Sequence, residues 1–220
     1  RAHKEGEPLM KELFTQVLEA GGHPVLWPEF SWSDELLMKL GSEEQYTFIH
    51  KSQAVFYEEY DCLIRVIAED NTKSLNGVRP EVFTRFTQSR GPLMNTYMDR
   101  TARGEFRWAL TLYPTNAYAQ DADMSLDEYA DFVYGASMPD LNDPVGYWQQ
   151  VSARQQRIVN WLKGKKRVHL LGKGTDLRLS IEGRDFINCD CHVNIPDGEI
   201  FTGPVEDSMA GHVTFSYPTI

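Results

Sequence analysis

Leu9, Leu13 and Val17, with Met10, Phe14 and Leu18 beside them, recur at the three- and four-residue steps of a helix face. Ala20-Gly21-Gly22 ends that run, and HPVLWP from His23 predicts a short buried strand. Ser33-Asp34 predicts the cap of a second helix carrying Leu36, Leu37 and Leu40. From Cys62, CLIRVIAE is an almost continuous apolar run of strand length, the texture of a strand covered on both faces as in a parallel sheet. Pro80 suits the first position of a long helix whose core face is Val82, Phe83, Phe86, Met94 and Met98, with Gly91-Pro92 breaking or kinking it. FRWALTLY from Phe106 alternates and predicts another strand. Ser125 and Glu128 make a capping box before Tyr129, Phe132 and Val133. Asp143-Pro144 then opens a helix with Trp148, Val151, Ile158 and Leu162 on its core face.

Strands alternating with helices over residues 1–164 predict an α/β layered N-terminal domain with a mostly parallel sheet flanked by helices. At Lys165 the texture changes. KRVHLL, the turn GKGTD and LRLSI read as strand, tight turn and strand, with Leu177, Leu179 and Ile181 on one face. DFINCDCHV and GHVTFSY continue in β-like fashion, so 165–220 reads as the first strands of a second, β-rich domain. That domain does not finish, the first residue is Arg1, and the first helix has nothing upstream to pack on. The expectation is a chain truncated at both ends.

Composition narrows the function. The 220 residues are 41% hydrophobic and 25% charged, enough to bury a core. A net charge of −10 points away from nucleic acid and anionic membrane surfaces, and no apolar run has bilayer length. Cys62, Cys189 and Cys191 do not make a disulfide framework, and neither a signal-peptide pattern nor an N-x-S/T acceptor is present, so the expected compartment is the cytoplasm. The five tryptophans, Trp27, Trp32, Trp108, Trp148 and Trp161, mostly fit core faces.

Few stretches carry chemistry. GKGTDL has Leu177 where a dinucleotide loop needs its third glycine and is followed by a strand, so it reads as a hairpin turn. CDCH (Cys189 to His192) has the residue types of a zinc cluster without a second ligand pair; on a strand, Cys189 and Cys191 share a face and pack as small hydrophobes. NIPDG is a turn, and EIFTGP follows as a short strand that begins with Glu199. A carboxylate there can face a cleft or be a solvated acid beside a turn. The residues alone support a soluble α/β protein with a possible acidic site.

The order of GKGTDLRLSI followed by NIPDGEIFTGPVEDSMAGHV resembles the aminopeptidase T, or M29-type, family of thermophilic metallopeptidases. The similarity extends back through YGASMPDLNDPVGYWQQVSARQQRIVNWL and FRWALTLYPTNAYAQDADM, while the first sixty or so residues match in pattern only. The resemblance implies a two-domain, homodimeric exopeptidase that removes N-terminal residues from peptides with two divalent metal ions of the Zn, Co, Mn or Mg class. In that family the glutamate before V-F-T is a metal ligand; it maps onto Glu199, with Ile200 in place of valine. The remaining ligands (a second Glu, two His, a Tyr and an Asp) are implied downstream of Ile220, so His192, His212, Glu206 and Asp207 are not their equivalents and the chain alone is expected to be inactive. Cys189, Cys191 and His192 fall where the family varies, which leaves open an additional metal contact. The rival class is a non-catalytic α/β binding or oligomerisation module.

Overall fold

The structure is a computed structural model and describes residues 1–217. The chain opens with β1 (Ala2–His3), α1 (Glu7–Glu19), β2 (Pro28–Glu29), α2 (Ser31–Leu40), α3 (Glu43–Thr47), α4 (Lys51–Glu59) and β3 (Cys62–Ile67). It continues through α5 (Pro80–Ser89), α6 (Gly91–Ala102), β4 (Arg107–Leu112), α7 (Asn116–Asp121) and α8 (Leu126–Ser137). Then follow α9 (Pro144–Leu162), β5 (Arg167–Gly172), β6 (Thr175–Ser180), β7 (Ile187–Cys189), β8 (Asn194–Ile195), β9 (Glu199–Phe201) and β10 (Ala210–Val213).

One unit comprises Arg1–Ser137 with Val193–Ile195. Its described strands form a parallel sheet in the order β2-β1-β3-β4-β8 with helices around it, the α/β architecture that the alternating pattern predicts. The β3–β4 ladder is the longest, running from Cys62↔Arg107 to Ile67↔Leu112. Val66 and Phe106 are its largest fully buried side chains. Phe56 stands edge-on to both Phe106 and Trp27, tying α4 to the sheet. Burying a side chain such as Phe106 contributes about 2 kcal/mol. A second cluster, Met38, Tyr46 and Val82, packs with Leu37, Leu75, Val78 and Phe86.

Local rules set several boundaries. Pro80 starts α5, which ends at Ser89, and α6 begins at Gly91, so the predicted interruption is a full break. Val82 is buried and Phe86 packs against it, but Phe83, Met94 and Met98 are exposed; the break turns the second half of that apolar face away. The Ser125 box is formed, with the Glu128 carboxylate accepting from the Ser125 amide at 3.0 Å.

Three expectations need correcting. A short strand lies ahead of α1: Ala2 and His3 are buried, Ala2 pairs with Pro28 and Val66 and His3 with Glu29, and the Ala68 amide donates to His3 Nδ1 at 3.2 Å. In HPVLWP only Pro28 is in a strand, while Val25 and Leu26 are exposed, because a two-residue ladder covers little of the run. The second helix starts at Ser31 rather than behind a Ser33-Asp34 cap, and the Ser33 hydroxyl instead donates back to the Phe30 carbonyl at 2.8 Å. Trp32 and Trp161 also lie exposed rather than on core faces.

The other unit comprises Met138–His192 with the described residues from Pro196 onward. The units therefore divide before α9, whereas the change of texture lies at residue 165; α9 packs against β7 and β9. Asp143 caps α9 by accepting from the Gly146 amide at 2.8 Å. The hairpin β5–β6 turns through Lys173-Gly174 with Gly174 at φ +71°, a left-handed conformation that glycine adopts without steric cost. Ile181 is buried below it, and Leu177 and Leu179 are half-buried. β10 joins on the other side of β6, and β7 pairs antiparallel with β9. Phe201, Met209, Val213, Phe215 and Tyr217 are exposed, and the last three residues of the chain lie outside those described. No described helix is long and apolar enough to cross a membrane.

Candidate metal centre

Glu199 is the first residue of β9 and stands directly opposite Cys189, the last residue of β7. Residues opposite one another on an antiparallel pair project to the same face, so thiol and carboxylate are neighbours by register. The chain returns to this face through Asp197-Gly198. Gly198 has φ +125°, and its amide donates to the Cys189 carbonyl at 3.1 Å, closing the end of the ladder. That reversal brings Asp197 back onto the pair. One donor atom from each of Cys189, Asp197 and Glu199 lies within 4.8 Å of the others.

A buried glutamine on α9 holds the two strands. Gln155 Nε2 donates to the Asn188 side chain at 2.7 Å, the Glu199 carbonyl at 2.9 Å and the Cys189 carbonyl at 3.1 Å. Asn188 Nδ2 in turn donates to the Ser152 carbonyl at 3.1 Å. The backbone under the carboxylate is therefore fixed although the Glu199 side chain is exposed.

The electrostatics are those of an under-compensated acidic site. Burial, then the charges of Glu199 and Asp190, push the Asp197 carboxyl above its ordinary range despite the Gly198 and Glu199 amides that favour its anion. Burial, then the charges of Asp197, Glu199 and Asp190, raise the Cys189 thiol, and burial with Asp197 and Asp190 raises Cys191 to about 11. Among the described residues, neither Asp197 nor Glu199 takes part in an ion pair. Asp190 differs: burial works to raise it, but the Ser152 hydroxyl at 2.5 Å and His192 at 2.6 Å hold it below its usual value.

These donors fit a divalent cation. Donor atoms that share one ion through bonds of about 2.0 to 2.3 Å lie about 3 to 4 Å apart, so a group contained within 4.8 Å can close onto one ion by side-chain rotation. Two carboxylates and one thiol can hold one ion incompletely and do not suffice for two. The structure brings Glu199, Cys189 and Asp197 together. It leaves His192 out, exposed and bound to Asp190, and Cys191 is not part of the donor group. The expectation that Cys189 and Cys191 share a strand face is not met: β7 ends at Cys189, and Cys191 sits at φ +72° in a bend. Glu206 pairs with Arg184 at 2.6 Å, away from the site. Sequence reasoning missed Asp197, which reads as a turn residue; the signal was a second acid two positions before Glu199 across a glycine. It also missed Gln155, which helical periodicity alone cannot distinguish from its neighbours.

A family model described as thermophilic metalloprotease (M29) matches residues 1–220. Aminopeptidase 2 of Geobacillus stearothermophilus is 23% identical over 250 aligned positions, covering 97% of this chain and 57% of that protein. Aminopeptidase T of Thermus thermophilus is 21% identical over 235 positions, covering 99% of this chain and 55% of its own length. The chain thus spans a little over half the length of these relatives. The solved structure of wild-type AmpT from Thermus thermophilus superposes with a TM-score of 0.72 at 17% identity, over 96% of this chain and 57% of that one, and shows the same fold.

Proposed function

The chain belongs to the thermophilic metalloprotease family M29, and on that premise we propose that it forms part of a metallo-aminopeptidase that removes residues from the N-termini of peptides. That both relatives are named aminopeptidases supports the aminopeptidase reading. The observation that carries it here is Glu199, fixed opposite Cys189 and beside Asp197, with no cationic side chain paired to either acid among the described residues.

In this proposal the complete protein binds two divalent ions, and Glu199 is a ligand to one of them. A bound divalent ion lowers the pKa of its water toward neutrality and polarises the carbonyl to be cleaved. This chain's own residues do the positioning. Glu199 supplies an anionic oxygen, Gln155 fixes the backbone on both sides of it, and Gly198 sets the reversal that brings Asp197 close. One exposed carboxylate with two helpers does not hold two ions, since hard divalent cations take several oxygen ligands. The 220-residue chain by itself therefore hydrolyses no peptide in this reading. The proposal includes a homodimeric, cytoplasmic enzyme, and sedimentation of the complete protein checks the assembly.

The direct test is Glu199→Gln in the complete protein, followed by leucine p-nitroanilide hydrolysis and elemental metal analysis. Residues that only orient metal ligands cost 10- to 100-fold, so losing a ligand is expected to cost roughly 100-fold or more, with less bound metal. Unchanged activity and metal content would overturn the assignment of Glu199. A metal-free parent protein that hydrolyses nothing would leave the non-catalytic module in its place.

A further inference from the structure

We propose that the Cys189 thiol joins Glu199 and Asp197 as a ligand of the divalent ion, giving this protein a mixed sulfur–oxygen metal subsite that prefers zinc or cobalt to magnesium. The inference rests on the assignment of Glu199 to a metal and adds to it a donor, and through that donor a metal class.

Three independent features converge on Cys189. Register places it directly across from Glu199, the one position on β7 whose side chain must share that residue's face and level. The Gly198 amide and the Gln155 carboxamide both bond to the Cys189 carbonyl, so the residue's backbone is anchored twice and its side chain has a fixed origin. The donor atoms of Cys189, Asp197 and Glu199 lie within 4.8 Å of one another, near enough for side-chain rotation to bring them onto one ion. The membership in a metalloprotease family is the separate reason to expect an ion at this acid rather than a solvated carboxylate.

Neighbouring candidates do not compete. His192 is engaged with Asp190, and Cys191 lies outside the donor group. Cys62 belongs to the other unit, and all three cysteines are free thiols. Sulfur in the first shell has a chemical consequence. Thiolate is a soft ligand that suits zinc and cobalt, whereas magnesium and calcium take oxygen. On binding, the S–H bond breaks, its proton leaves to solvent and the sulfur lone pair bonds to the ion, with no change in oxidation state.

The test uses the complete protein loaded with zinc under reducing conditions, and X-ray absorption at the zinc edge. The expected result is a sulfur scatterer at about 2.3 Å. It should be lost in Cys189→Ser and retained in Cys62→Ser and Cys191→Ser. Cobalt loading should give a near-ultraviolet thiolate-to-metal band with the same dependence. Cys189→Ser is expected to lower zinc affinity roughly tenfold or more and to leave magnesium affinity unchanged. An oxygen- and nitrogen-only shell in the parent protein overturns the inference without any variant having to fold. If that shell is found while Glu199→Gln still lowers metal content, the inference fails and the assignment of Glu199 stands. If sulfur is present but Glu199→Gln changes neither content nor affinity, the three-donor site and the assignment of Glu199 fall together. Absence of bound metal also overturns it.

Discussion

Replacing Gln155 by Leu removes the strut beneath the candidate site while keeping its volume. Its Nε2 has two protons and three acceptors at 2.7, 2.9 and 3.1 Å, so at most two good hydrogen bonds are lost at a time. Each is worth about 1 kcal/mol net when made, and a buried acceptor left bare costs about 1–3 kcal/mol. The Glu199 carbonyl and Asn188 Oδ1 lose this donor, whereas the Cys189 carbonyl keeps the Gly198 amide at 3.1 Å. The expected local destabilisation is therefore about 2–3 kcal/mol, or roughly 30-fold or more in the opening equilibrium of the β7–β9 pair. Amide hydrogen exchange followed by mass spectrometry reads this directly on a peptide spanning residues 186–201. Gln149→Leu, on an exposed position of the same helix, is the control and should leave that peptide unchanged. Exchange accelerated less than about threefold in the Gln155 variant, with the control behaving, would refute the claim that this side chain holds the two strands.

Other perturbations follow from single positions. A Cβ at Gly211, which has φ +127°, would lie 1.9 Å from the Asp176 carbonyl oxygen, so Gly211→Ala should detach β10 from β6. A cost of about 3 kcal/mol is expected from thermal melting, and an unchanged midpoint would contradict the β10–β6 pairing. Cys191 holds φ +72° without being glycine; Cys191→Gly should stabilise by about 1 kcal/mol in denaturant titration, and a loss of stability would show that the thiol packs usefully. The Ser125 amide and then its hydroxyl hold the Glu128 carboxyl below its ordinary value. Because the folded value is depressed, the box stabilises α8 fully above the unfolded value of about 4.3 and loses that contribution as pH falls through the lower folded value. NMR of the Ser125 amide should follow that acid transition, and Glu128→Gln should abolish it.

How much of this was readable depended on how locally each feature is determined. Asp143-Pro144, Pro80 and Ser125-x-x-Glu128 specify their helix starts with side chains a few residues away, and all three appear as written. The turn of GKGTD is equally local. Ala2–His3 could not be read, because two residues carry no period and their strand identity comes wholly from partners at Pro28 and Val66. Val25 and Leu26 show the converse: apolar residues predict burial only if something is there to cover them. At the site, Glu199 stood out through a resemblance rather than through its own surroundings. Its partnership with Cys189 depends on a register set across the excursion through residues 190–198, which no sequence pattern encodes.

That excursion includes β8, whose Ile195 carbonyl accepts from the Thr111 hydroxyl 84 positions earlier in the chain. Until Asn194 and Ile195 emerge from the ribosome, β4 is an open strand edge, a row of unpaired amides and carbonyls able to template the wrong partner. At about 5–20 residues per second, translation leaves that edge uncapped for roughly 4 to 17 s. The newborn chain thus passes through an interval in which the β3–β4 ladder is complete but unprotected. A chaperone that binds extended segments would have its natural window there, and it would close with the synthesis of two residues.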